Sequence, residues 1–148
     1  MTDRLDISLE QSRALPWPAA DGSVDAVHCT NAFHRLTARE RIAFMEEAWR
    51  VLKPGGKLEI VVPHARSDTP AALETAWPPL VEKSFLYFNA QERRDMAVPH
   101  YGIHCDFELE VGLELAPEWF RRGDAERHHA AQHFHGAIVS MTAFMTKR

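Results

Sequence analysis

At 148 residues, with 45% hydrophobic and 26% charged side chains, the chain has the size and composition of one globular domain. A net charge of −4 argues against a general nucleic-acid-binding role, which needs a basic face, and two cysteines cannot build a disulfide framework. No run approaches about 20 apolar residues, and MTDRLDISLE is charged where a signal peptide would be apolar. No membrane segment is therefore expected, and reduced thiols in a cytoplasmic setting are.

In chain order, LDISL (5–9) alternates apolar and polar side chains and predicts a short first strand. LPWPAADGS (15–23) reads as a loop, since Pro16 and Pro18 forbid regular pairing and Asp21-Gly22 is a strong turn signal. VDAVHCT (24–30) is a strand of mixed faces. Thr37 and Glu40 have capping-box spacing, and Ile42, Met45, Trp49 and Leu52 recur along one stripe of an amphipathic helix. That helix is expected to end near Lys53, a cation at its negative end, with Gly55 or Gly56 as left-handed cap. An apolar strand over 57–62 follows, making a right-handed parallel βαβ unit. Beyond it the pattern gives an irregular connection over 64–83 and a short helix over 89–96. An alternating strand over 104–116 comes next, then a helix opened by Pro117 that runs to about Phe134, and a closing strand over 137–145.

LPWP, DGSVD, the helix ending in RVLKPGG and the strand KLEIVVP together resemble class I S-adenosylmethionine-dependent methyltransferases from their fourth strand through their fifth. AWPPLVEKSFLYFN, HCDFELEVGLELAPE and the closing TKR resemble small methyltransferase-like proteins of bacteriophages and prophages. The resemblance implies an α/β fold with a truncated Rossmann-like sheet that keeps strands 4-5-7-6 of the class I order 3-2-1-4-5-7-6. It implies a parallel start and a C-terminal antiparallel pair, in one N-terminally reduced domain over 1–148. In the family the first strand ends in a glycine-rich loop whose backbone approaches the cofactor, and an acidic residue ending the second strand takes the ribose hydroxyls. Here Gly22 is the first glycine, and no strand–glycine-loop–helix pattern precedes it.

Several residues are candidates for chemistry. His34, after the fourth strand of the resemblance, is a candidate general base because its ordinary pKa lies near neutrality. If S-adenosylmethionine binds, Leu15, Trp17, Asp25 and Asn31 would line the remaining wall of its crevice. Trp77 and Phe85 belong to an aromatic cluster suited to an acceptor pocket or a partner surface. His128, His129, His133 and His135, with His100, His104 and Cys105, invite a metal reading, but no HExxH or paired CxxC pattern supports it and no metal is expected. The cysteines read as packed or inert thiols.

The function these features favour is a methyltransferase-like protein of the phage or prophage kind that does not bind S-adenosylmethionine alone. It would act by protein–protein interaction, as a modulator or inhibitor of a host or phage protein, in the host cytoplasm. Loss of the first strands would bare the edge of the 24–30 strand, offering Val24, Ala26 and His28 to a second copy or another protein by strand addition, with Trp77 and Phe85 as further contacts. The alternative is an active methyltransferase whose cofactor site is reduced or completed by dimerisation.

Overall fold

The computed structural model describes residues 3–97, 99 and 101–148. In chain order its elements are β1 (Arg4–Asp6), α1 (Leu9–Arg13), β2 (Val24–Thr30), α2 (Ala38–Val51), β3 (Leu52–Pro63), α3 (Ala90–Met96), β4 (Phe107–Leu115), α4 (Asp124–His133) and β5 (Ile138–Lys147). The strands form one sheet of order β1-β2-β3-β5-β4. β1, β2 and β3 are parallel neighbours, whereas β5 runs antiparallel to both β3 and β4. The last four strands reproduce the expected 4-5-7-6 arrangement. No helix among the described residues is long and apolar enough to cross a membrane.

Helix α2 begins as its sequence dictates. The Thr37 hydroxyl accepts the Glu40 amide at 3.3 Å and the Glu40 carboxylate accepts the Thr37 amide at 2.8 Å, so two orphan donors are satisfied reciprocally. Its end differs from expectation. The helix stops at Val51, and Leu52 is already extended and paired with Val24. Lys53 lies beyond the helix and forms an ion pair with Asp25 at 2.9 Å. Carbonyls at this end are capped from distant parts of the chain. Gly22 N–H donates to Arg50 O and Ser23 N–H to Val51 O, both at 2.9 Å. The Lys147 ammonium donates to the carbonyls of Trp49 and Leu52, at 2.5 and 2.7 Å. A helix end left without partners would carry a penalty for each buried carbonyl, so these groups explain a stop with no glycine at the junction. Gly56 is required for a different reason: a Cβ there would stand 2.8 Å from the Lys53 carbonyl and 3.2 Å from that of Asp25.

The helix expected from Pro117 to Phe134 is split. A 3-10 turn covers Pro117–Trp119, and the α-helix restarts at Asp124 after Gly123, whose backbone freedom disfavours helix continuation. β1 begins one residue before the predicted 5–9 strand and ends three residues short of its end, because Ser8 caps a helix that starts at Leu9; β1 pairs with the main sheet.

One sheet face is buried. Val27 and Cys29, Leu58, Ile60 and Val62, and Met141, Ala143 and Met145 join Phe44, Met45 and Ala48 of α2 in a single core. At its centre Phe44 meets Trp17 and Phe33 edge-on, with ring centroids 5.2 and 5.3 Å apart, and Phe33 stacks on Phe85. Among the described residues no helix covers the opposite face. Ala26, His28 and Thr30, Lys57, Glu59 and Val61, and Thr142, Phe144 and Thr146 stand on it in register, none of them buried.

Candidate functional site at the carboxyl ends of the parallel strands

In open α/β sheets ligands bind beyond the carboxyl ends of the parallel strands. Here those ends are Asp6, Thr30 and Pro63. β1 runs on through Ile7, 7% exposed, whose amide donates to His28 O at 2.8 Å. Ser8 then caps α1 through a second capping box with Gln11. Just past β2, Asn31 has a left-handed backbone (φ 53) that asparagine tolerates better than most residues, and its amide donates to Val61 O.

The residues proposed for a cofactor wall do not converge. Asn31 stands just past the carboxyl end of β2. Asp25 lies at the opposite end of that strand, about 20 Å away at strand rise, where it accepts the Asp3 amide and pairs with Lys53. The Lys53 bond, aided by the Asp3 amide, holds its carboxyl below the ordinary value. Trp17 is 4% exposed, packed edge-on against Phe44, with its amide on Glu47 at 2.7 Å and its indole N–H on Gln11 O at 3.0 Å. It is a core anchor for the loop and not a wall. Leu15 lies on the same loop, 38% exposed.

His34 is likewise not a base facing solvent. It is 1% exposed, both ring nitrogens lack a hydrogen-bond partner among the described residues, and the peptide of Ala76 donates to its backbone carbonyl at 2.9 Å. Burial lowers its pKa, opposed in part by the nearby Ala71 backbone. The imidazole takes up a proton less readily in the folded protein than in the unfolded chain, which binds one below its ordinary value of 6.5. Its contribution to stability is therefore complete above pH 6.5 and declines as the pH falls below it, levelling off under the lower folded value. His34→Leu is expected to remove this component, at most about 1.4 kcal/mol per pH unit. Urea midpoints of both proteins at pH 7.5 and 5.5 check it: an unchanged difference between the two would refute the assignment.

The partner contacts expected on a bare strand edge are also corrected. The edge of β2 is not open, because β1 pairs with it from Arg4↔Ala26 to Asp6↔His28. Val24 and Phe85 are buried, at 4% and 1% exposure, so neither can meet another molecule. Ala26 and His28 are half-buried on the uncovered sheet face, and Trp77 is 82% exposed. Among the described residues no three histidine, cysteine or acidic side chains converge as metal ligands, although His129 and His133 do share a helix face with rings 4.5 Å apart. His100 lies outside the described residues. Burial pushes the Cys29 thiol up to about 11, and burial with Glu46 pushes that of Cys105 higher still, so both thiols are inert at neutral pH.

Other polar groups were not evident from the sequence. His64, just after β3 and 2% exposed, holds the Glu82 carboxylate at 3.1 Å through Nε2 and accepts the Arg66 amide through Nδ1. Its partners lie two and 18 residues on, in irregular chain without a periodic signal. Burial would raise the Glu82 carboxyl, but its own backbone amide and His64 prevail and lower it. Both ring nitrogens are occupied, which makes this pair a strut for the connection after β3.

Residues 1–56 match a family model described as a methyltransferase domain. No curated protein matches the chain. Among solved structures the chain is similar to a SAM-dependent methyltransferase of Archaeoglobus fulgidus, at 12% identity and a TM-score of 0.56, covering 94% of this chain and 64% of that one. It is also similar to one of Thermotoga maritima, at 14% identity and a TM-score of 0.51, covering 100% and 83%. A third, from Methanosarcina mazei, is 16% identical with a TM-score of 0.51, covering 89% and 63%. The chain thus spans less than two thirds of two of these proteins. Fold and strand order define a reduced, methyltransferase-like Rossmann sheet.

Proposed function

We propose that this chain is a methyltransferase-like module that does not hold S-adenosylmethionine by itself and acts by binding another protein across the uncovered face of its sheet. One observation carries the reading: β1 occupies the place beside β2 that strand 1 takes in the class I order. It leads through buried Ile7 into a serine-capped helix where the family has a glycine loop. Side chains at these positions keep the backbone from the close approach that a bound cofactor's methionine end requires.

The uncovered face supports the second half of the reading. Doubly wound sheets carry helices on both faces, and here Phe144 stands 46% exposed near the middle of a bare one. Around it Glu59, Glu108 and Glu110 outnumber Lys57. That pattern fits a partner offering an apolar contact ringed by lysine or arginine, and it opposes pairing with a second copy, whose face would carry the same charges. In a phage or host setting such a module would modulate or inhibit the protein it covers.

Calorimetric titration with S-adenosylmethionine and S-adenosylhomocysteine is expected to give no binding; micromolar affinity would restore the methyltransferase alternative. An amphipathic leucine–lysine helical peptide should shift the backbone amides of 57–61 and 142–146 in heteronuclear NMR. Phe144→Ser should weaken that response about tenfold. Shifts elsewhere only, or a dimer abolished by Phe144→Ser, would overturn the proposed occupant.

A further inference from the structure

On the buried side of the sheet, against the first turns of α2, lies a cavity of about 290 Å³. Its wall is built from Phe33, Leu80, Phe88 and Ile103, with Tyr87 and Tyr101 at its rim, their ring centroids 6.2 Å apart. The volume falls near the lower end for small-molecule sites, and the lining has their usual character: mostly apolar and aromatic, with few polar groups.

The charged group among the described lining residues is a cation. Arg41 lines the cavity at 4% exposure. Its Nη1 donates to Pro78 O at 2.6 Å, and its Nη2 donates to His34 O and Ala76 O, both at 2.9 Å. A guanidinium has five N–H donors, so two find no partner among the described residues, and the buried Nε–H is one of them. Among the described residues no carboxylate lies within ion-pair distance of Arg41, and no lining residue is acidic. Burial alone shifts its pKa, downward, as for a cation without a counter-charge. Ser84 adds a hydroxyl whose oxygen accepts the Val81 amide, leaving its hydrogen free to donate. Ala38, the first residue of α2, lines the same wall beside the capped start of that helix.

We infer that this cavity is a binding site for a small aromatic carboxylic acid, its ring against Phe33 and Phe88 and its carboxylate facing Arg41. A buried cation lacking a carboxylate is stabilised by an anion that brings its own apolar body into the pocket. A purely apolar ligand would leave the guanidinium as it stands, and an inorganic anion would leave the aromatic wall wet. The site is on the opposite side of the sheet from the uncovered face and needs no S-adenosylmethionine, so it stands or falls separately from the reading above.

The test is calorimetric titration at pH 7 with naphthalene-2-carboxylate and, in parallel, naphthalene-2-carboxamide and inorganic phosphate. The carboxylate is expected to bind at least about tenfold more tightly than the isosteric amide, with no measurable binding of phosphate. Arg41→Met should abolish the preference for the acid. Because Arg41 also clamps the 76–78 backbone, a second variant leaves it in place: Ala38→Trp, at an exposed position on the cavity wall, should fill the space and weaken carboxylate binding by about tenfold or more while circular dichroism is unchanged. Equal affinity for acid and amide, no binding of the acid at millimolar concentration, or full affinity in Ala38→Trp would each overturn the assignment.

Discussion

Glu47→Ala is expected to destabilise the protein by about 2–4 kcal/mol, lowering the melting temperature by roughly 6–12 °C. The reason is the number of groups that one carboxylate holds. Its Oε1 accepts the buried Trp17 amide at 2.7 Å and Arg50 Nη2 at 2.6 Å, and its Oε2 accepts Arg50 Nε at 2.9 Å. Arg50 in turn donates to Ala19 O at 2.9 Å and to Asp21 at 2.6 Å, so the carboxylate fastens the whole LPWPAADG loop to α2. Removing it leaves a buried amide without an acceptor and a half-buried guanidinium with one ion pair fewer, and both costs are incurred at once. Glu47→Gln, which retains an oxygen for Trp17, should lose about half as much. The carboxyl lies below its ordinary value of 4.5, chiefly through the Arg50 hydrogen bonds and despite burial. Its contribution is therefore complete above pH 4.5 and is lost as the pH falls through the lower folded value. Thermal melts at pH 7 and pH 3 should show the wild type and Glu47→Ala converging at the acid end. A constant gap would show that the carboxylate's charge is not what matters.

Phe44→Ala should be costlier, about 3–5 kcal/mol, and in a domain of ordinary stability that is enough to populate the unfolded state at 37 °C. Phe44 is 0% exposed and touches two aromatic neighbours edge-on, so truncation opens a cavity and removes two ring contacts worth about 0.5–1.5 kcal/mol each. Phe44→Leu keeps much of the volume and should cost about 1–2 kcal/mol. Urea midpoints at constant m-value measure both, and a loss below about 1 kcal/mol for the alanine variant would show that the site collapses around the gap.

Much of the fold was legible because it depends on local spacing. The Thr37/Glu40 box and the 3.6-residue stripe placed α2, period-two alternation placed β4 and β5, and Asn89 marked the start of α3. What was misread depends on groups distant in sequence. Lys53 looked like the cation at the end of α2, but that place belongs to Lys147, nearly a hundred residues later. The Asp21-Gly22 turn was recognised as a turn, yet its amides also cap that helix, which only three-dimensional proximity reveals. The candidate site was less legible still. Periodicity says which residues lie in a strand and not at which end a ligand sits, so Asp25 and Asn31 were grouped although strand length separates them. Trp17 and His34 look chemical in a list of residue types and prove to be buried in the core. Arg41 was hidden because it sits on a helix among ordinary charged neighbours, and nothing in its spacing marks a cation without a carboxylate.

The place of β5 bears on how the chain is made. β5, which follows β4 in sequence, lies inside the sheet between β3 and β4, and its Lys147 closes the end of a helix formed from residues 38–51. β4 pairs with β5 alone, so β1, β2, α2 and β3 can assemble in chain order while β4 waits for β5 to be made. A substitution that breaks β5 would therefore do more than loosen one strand: it would strand β4 and reopen the end of α2.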